Sequence, residues 1–160
     1  MKRVAHFFYT GFYTGYMPFA PGTFGTLLAC AIYCSLYMTF GDNVRFINMG
    51  LVLIAAYPAV LLGNQAERYF EAKDPQVVVL DEMMGYWISI FFFPFNLKIV
   101  LAAFVIFRIF DILKPWPIGS SQQLKGGLGI MIDDYIAGVF TNAVIWVIIG
   151  FSHFTGIAIF

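Results

Sequence analysis

Five long apolar runs set the terms for this chain: Thr23–Phe40, Phe46–Gly63, Val77–Phe95, Leu97–Leu113 and Ile130–Phe151. Each holds roughly 17–22 residues, which as a helix rising 1.5 Å per residue spans roughly 25–33 Å, close to the thickness of a bilayer core. Lipid-facing barrel strands alternate apolar with polar residues, and these runs do not. Composition argues the same way. Nine basic and nine acidic side chains in 160 residues make 11% charge against 61% hydrophobic, where soluble domains carry about 25% charge. The expected architecture is an all-α, polytopic membrane bundle of four to five segments, a single domain over residues 1–160. A formal charge of zero argues against a nucleic-acid binder, which needs a basic surface.

Charge placement gives an orientation. With the N-terminus inside and all five runs crossing, the inner side receives Lys2, Arg3, Arg68, Lys73, Arg108, Lys114 and Lys125, and the outer side only Arg45 and Lys98. That is the positive-inside pattern. Eight of the nine carboxylates fall on the same inner side, leaving Asp42 outside. Acidic residues contribute little to topology, so their gathering needs another cause, and a functional site there is the natural one. The basic start Met1-Lys2-Arg3 leads into the aromatic, Gly-punctuated His6–Gly15. No apolar core and cleavage site follow, so the N-terminus is expected to be retained with its aromatics at headgroup depth. Cys30 and Cys34 read as buried small hydrophobes, since two cysteines build neither a disulfide framework nor a zinc site.

Four constellations could carry chemistry. Pro18–Thr26 stops one element and opens the first long helix, with Thr23 a candidate N-cap. Free N–H groups and the positive end of the helix dipole make such a start an anion site, and Gly22 and Gly25 would let a phosphate approach. A plain capped helix start explains the same residues. Asp81 and Glu82 stand side by side where an apolar run begins. Two adjacent ionised carboxylates in a membrane repel each other and lose hydration; a divalent cation removes both costs. Oxygen ligands alone favour a hard ion such as Mg²⁺ over Zn²⁺. Solvation at a helix start is the alternative.

Arg108, Asp111 and Lys114 recur every third residue on one charged helix face, ended by Pro115-Trp116-Pro117. They form either ion pairs that ease insertion or a phosphate-holding pair of cations around a metal-binding Asp111. Finally, the glycine-rich turn Gly126-Gly127-Leu128-Gly129 delivers a second acidic doublet, Asp133-Asp134, into an apolar helix. Five carboxylates on one face of so small a chain are hard to fold without cations. Glu67, Arg68, Glu71, Lys73 and Asp74 follow the second run and read as a solvated helix end, with Asp74 the candidate exception. His6 and His153 lie on opposite expected sides, which disfavours histidine-based catalysis.

Taken together, Pro21–Thr26, Asp81-Glu82-Met83-Met84-Gly85-Tyr86-Trp87, the run Phe107–Pro117 and the run Gly126–Asp134 resemble, in order and spacing, the phosphatidylglycerophosphatase A family from about Gly11 to Gly150. The resemblance implies a multi-pass, Mg²⁺-dependent lipid phosphatase of the bacterial inner membrane, with its active site at the cytoplasmic face. It would convert phosphatidylglycerophosphate to phosphatidylglycerol and inorganic phosphate. Many relatives carry a His just before the paired glycines; Lys125 stands there, so no catalytic proton transfer is assigned to that position.

The residues' own chemistry stands beside this. Asp81, Glu82, Asp111, Asp133 and Asp134 are the expected metal ligands and catalytic carboxylates, able to orient or deprotonate water. Gly22, Thr23, Thr26, Arg108 and Lys114 are the expected phosphate-binding set. Direct attack by activated water is favoured over a covalent intermediate. The main non-enzymatic rival is a small cation carrier with a carboxylate-lined path, which predicts acidic residues at the bilayer midplane on both halves.

Overall fold

A computed structural model describes residues 2–157 and 159–160, and among these it is all-helical. In chain order the helices are α1 (Lys2–Tyr9), α2 (Pro21–Phe40), α3 (Val44–Phe70), α4 (Leu80–Ser89), α5 (Leu97–Leu113), α6 (Ile118–Ser121) and α7 (Gly127–Thr155). Short 3-10 turns at Thr14–Tyr16 and Gly41–Asn43 join α1 to α2 and α2 to α3. Among the described residues two stretches are long and apolar enough to cross a membrane, Pro21–Phe70 and Gly127–Thr155. The first is a hairpin, since the turn at Gly41–Asn43 divides it into helices of 20 and 27 residues. Length and composition thus mark fewer crossings than the four to five expected.

The third expected segment, Val77–Phe95, is not a continuous helix. Only α4, ten residues long, is helical there, about 15 Å at 1.5 Å per residue and half a bilayer. The turn after it satisfies Ile88 O, and two further carbonyls at its end and one beyond it are met from other helices. Asn48 of α3 donates to Trp87 O at 2.9 Å, and Asn142 of α7 donates to Ser89 O at 3.1 Å and Phe91 O at 2.9 Å. Trp87 Nε1 in turn donates to Ala29 O of α2 at 3.0 Å. Irregular backbone is tolerated at membrane depth only where protein supplies such partners.

Other boundaries move as well. The second expected run extends to Phe70, so Glu67 and Arg68 lie inside α3 and do not follow it. Gly127 and Gly129 form the first turn of α7, where the sequence suggested a loop, and Gly127 N donates to Asn64 Oδ1 at 2.9 Å. Helix α2 starts at Pro21 with Ala20 as its cap, so Thr23 lies inside the first turn. Cys30 and Cys34 are half-buried free thiols.

The most extensive packing is between α4 and α7. A Cβ at Gly85 would fall 2.6 Å from Asp134 O and 2.6 Å from the Phe107 ring, and one at Gly138 would fall 2.3 Å from Gly85 O. Glycine at both positions lets the two backbones touch, and small residues of this kind are how apolar helices associate in lipid. Around that seam lie the buried Met84, Tyr86, Phe107, Met131 and Ala137. Helix α1 buries Ala5 and Tyr9 against the bundle and exposes Val4, Phe7 and Phe8.

Candidate active site

The beginnings of α2, α4 and α7 and the end of α5 meet at one end of the bundle around a cavity of about 370 Å³. Helix α2 contributes Pro21 and Gly22, α4 Asp81 and Glu82, and α7 Asp133 and Asp134. Arg108 and Asp111 come from α5 and Lys114 from its C-cap, while the segment between α3 and α4 adds Asp74 and Gln76. All five predicted carboxylates therefore share one cavity with both predicted cations. Six carboxylates, counting Asp74, face two cations.

These carboxylates fall into two groups. Asp111 and Asp133 are paired. Arg108 NH1 lies 2.5 Å from Asp111 Oδ2, and Lys114 Nζ lies 2.5 Å from Asp133 Oδ2 and 3.9 Å from Asp111 Oδ1. Gln122 Nε2 adds a second donor to Asp133 Oδ2 at 2.9 Å. Burial opposes the charge on Lys114, but its hydrogen bond to Asp133 and the charges of Asp133, Asp134 and Asp111 outweigh that and raise its pKa above the usual ammonium value.

Asp81, Glu82 and Asp134 form the second group. One carboxylate oxygen from each lies within 4.8 Å of the others, and Arg108 approaches this set only at 4.0 Å from Glu82 Oε1. Asp81 and Asp134 are 5% and 3% exposed. Asp81 Oδ1, Glu82 Oε2 and Asp134 Oδ1 are buried with no hydrogen-bond partner, as is Asp133 Oδ1. Orphaned buried oxygens of this kind need a partner. Oxygens bound to one Mg²⁺ at about 2.1 Å are at most about 4.2 Å apart, so small side-chain shifts would suit this set to a hard divalent cation.

Of the predicted phosphate-binding residues, Gly22, Arg108 and Lys114 line the cavity, and Thr23 and Thr26 do not. Thr26 is fully buried and its hydroxyl donates back to Gly22 O at 2.9 Å. Pro21 has no N–H, and Thr23 and Phe24 both donate to Ala20 O, which leaves the Gly22 amide at the cavity edge. Gly22 is also a steric requirement: a Cβ there would lie 2.0 Å from Glu82 Oε1 and 3.1 Å from Arg108 NH1.

The family model of phosphatidylglycerophosphatase A matches residues 7–149. The chain belongs to the phosphatidylglycerophosphatase A family. It is therefore a phosphatase of phospholipid metabolism. A phosphatidylglycerophosphatase A of Escherichia coli is 35% identical to it, covering 92% of this chain and 85% of the relative. One of Haemophilus influenzae is 34% identical, covering 89% and 87%. A Bacteroides thetaiotaomicron protein that carries the provisional name phosphatidylinositol-3-phosphatase is 40% identical, covering 87% and 92%. No solved structure matches the chain.

Within this phosphatidylglycerophosphatase A fold, several polar residues escaped the reading of motifs. Gln122 holds Asp133, Asn64 holds the start of α7, and Asn48 and Asn142 close the end of α4. The amides of Asn48 and Asn142 stand inside apolar runs, and that alone was a signal: a polar side chain in such a run must find a partner. Gln122 had no comparable mark, because it sits in a polar connection. Asp74, the exception in the charged stretch after α3, lines the cavity rim with its backbone held at φ 49°.

Proposed function

We propose that this chain is a multi-pass membrane enzyme that removes the terminal phosphate of phosphatidylglycerophosphate, depends on Mg²⁺, and works at the cytoplasmic face of a bacterial inner membrane. The observation that carries the reading is the cavity in which three clustered carboxylates, each with a buried oxygen that has no hydrogen-bond partner, face two cations and a helix start. Helices α2, α3, α5 and α7 are taken as crossings and α4 with the turns up to Phe95 as a fifth passage, because the starts of α2, α4 and α7 and the end of α5 share one end of the bundle. That arrangement keeps the cavity at the end where positive loops gather.

In this reading Asp81, Glu82 and Asp134 hold the cation, while Asp111 and Asp133 act as counter-ions for Arg108 and Lys114. The bound ion supplies neutralisation of charge on phosphoryl oxygens and lowers the pKa of water. Arg108 and Lys114 grip the non-bridging oxygens, joined by the Gly22 amide, and draw in the charge that grows there during transfer. Asp133 Oδ1, held in place by the two donors on Oδ2, accepts the proton of the attacking water. The water oxygen attacks phosphorus in line, the ester bond breaks, and the leaving alkoxide takes a proton from solvent.

A phosphomonoester on a lipid headgroup is also what phosphatidylinositol 3-phosphate presents, and the name of the Bacteroides thetaiotaomicron relative makes it the second lipid to test. Purified protein given each lipid in turn, with and without a chelator, should release inorganic phosphate from phosphatidylglycerophosphate only when Mg²⁺ is present. Release that ignores the chelator would remove the metal from the account. Faster release from the inositol lipid would reassign the substrate.

A further inference from the structure

With a lipid filling the membrane side of the cavity, water and ions need another way in, and two further spaces that carry charged residues lie beside it. A chamber of about 190 Å³, walled by Glu67, Lys73, Asp74, Gln122, Gly129 and Ile130, shares Asp74 with the cavity. It shares Glu67 and Lys73 with a groove of about 570 Å³ that also carries Arg68, Glu71 and Lys125. The three spaces are thus neighbours, with Glu67 and Lys73 between groove and chamber and Asp74 between chamber and cavity. Lys73 Nζ donates to the Gln122 carbonyl at 3.0 Å, and Gln122 Nε2 donates to Asp133 Oδ2 at 2.9 Å. The lysine charge is thereby tied to a backbone oxygen at the chamber wall. Neither Glu67 nor Asp74 forms an ion pair among the described residues. With two carboxylates against one lysine the chamber favours cations, whereas the groove outside it, with Arg68, Lys73 and Lys125 against Glu67 and Glu71, is net positive; a departing phosphate would meet both carboxylates in the chamber.

We propose that these spaces form a water-side passage by which a divalent cation reaches Asp81, Glu82 and Asp134, with Glu67 a steering residue that never touches the bound ion. The proposal rests on the reading that those three carboxylates hold such an ion. Glu67 lines the chamber and the groove but not the cavity, so it acts on the journey and not on the destination. Clefts lined by one sign of charge with low-dielectric walls focus the field and raise arrival rates about 10–10³-fold; in the chamber the excess sign is negative, and Glu67 is the carboxylate it shares with the basic groove outside.

The test is stopped-flow binding and release of Mn²⁺ by the full chain in lipid nanodiscs, comparing wild type with Glu67→Gln, Glu67→Arg and Asp134→Asn. In Glu67→Gln, association and dissociation should both slow by about tenfold while Kd stays within about threefold, and Glu67→Arg should slow both further. Unchanged rates in both Glu67 variants would overturn the passage. So would a Kd weakened in step with association while dissociation stays the same, since Glu67 would then act on the bound ion. Equal Mn²⁺ affinity in wild type and Asp134→Asn would sink the three-carboxylate reading and the passage with it; normal affinity with unaffected rates sinks the passage alone.

Discussion

Replacing Gly22 by Ala tests the cavity with the smallest perturbation available. The new methyl would lie 2.0 Å from Glu82 Oε1 and 2.9 Å from its Cδ, where contacts below 3.0 Å essentially never occur. Glu82 must therefore withdraw by about 1 Å or more. Its carboxylate is the free end of a flexible side chain, so the adjustment leaves helix packing intact, and Ala suits a helical backbone better than Gly. A misplacement of about 1 Å at a reacting centre costs about 10²-fold in rate, or about 2.7 kcal/mol of transition-state stabilisation. The expected outcome is about a 100-fold lower kcat for phosphate release from lipid in mixed micelles, with weaker Mn²⁺ binding and unchanged thermal unfolding. Gly50→Ala is the control, because nothing lies within 4 Å of its would-be Cβ, and it should keep full activity. If Gly22→Ala retains more than about a third of wild-type activity, Glu82 is not where the chemistry needs it, and its place among the three ligands falls.

The remaining predictions follow the same geometry. Asp81→Asn or Asp134→Asn should abolish Mg²⁺-stimulated phosphate release while the protein stays folded in detergent, because each change relieves repulsion inside the cluster; full activity in either removes that residue from the mechanism. Lys114→Met leaves Asp133 with only the Gln122 donor. Breaking a buried pair costs about 3–5 kcal/mol, and the 28% exposure of Lys114 puts the expected loss at the lower end, read from thermal unfolding. The raised lysine pKa means that this stability is fully present below the ordinary value of about 10.4 and is lost only as pH rises through the higher folded value. The gap between wild type and Lys114→Met should thus be flat from about pH 6 to pH 9. Asn142→Leu removes the donors from Ser89 O and Phe91 O, each worth about 1–3 kcal/mol when left unmet. It should lower both unfolding temperature and activity, since α4 carries Asp81 and Glu82.

The membership of the cavity was legible because its signal is electrostatic. Carboxylate doublets in apolar runs are costly wherever they sit, so Asp81-Glu82 and Asp133-Asp134 announce that something must compensate them. The division of labour among them was not legible. Whether Asp111 and Asp133 bind metal or pair with Arg108 and Lys114 depends on distances between helices, and helix α5 could have turned its charged face by one residue without altering the pattern. Thr23 and Thr26 show the same limit: their residue type suits phosphate, but a helix that starts two residues earlier turns Thr26 inward to Gly22 O. Apolar length also misleads at Val77–Phe95, because hydropathy does not distinguish a spanning helix from a short one followed by buried turns.

That short helix ties the fold to the site. A carboxylate pair in the first turn of α4 gains from the positive end of its dipole, and a helix that began further out would carry Asp81 and Glu82 away from Asp134. The helix must therefore start where α7 brings Asp134. Gly85 and Gly138 bring the two backbones together there. Its end then lies among apolar side chains with carbonyls to satisfy, and Asn48, Asn142 and the closing turns are the consequence. Polar residues far from the cavity are thus required by the cavity. A variant at Asn142 should lose activity in proportion to the displacement of α4, and a variant that loses stability without losing activity would break that link.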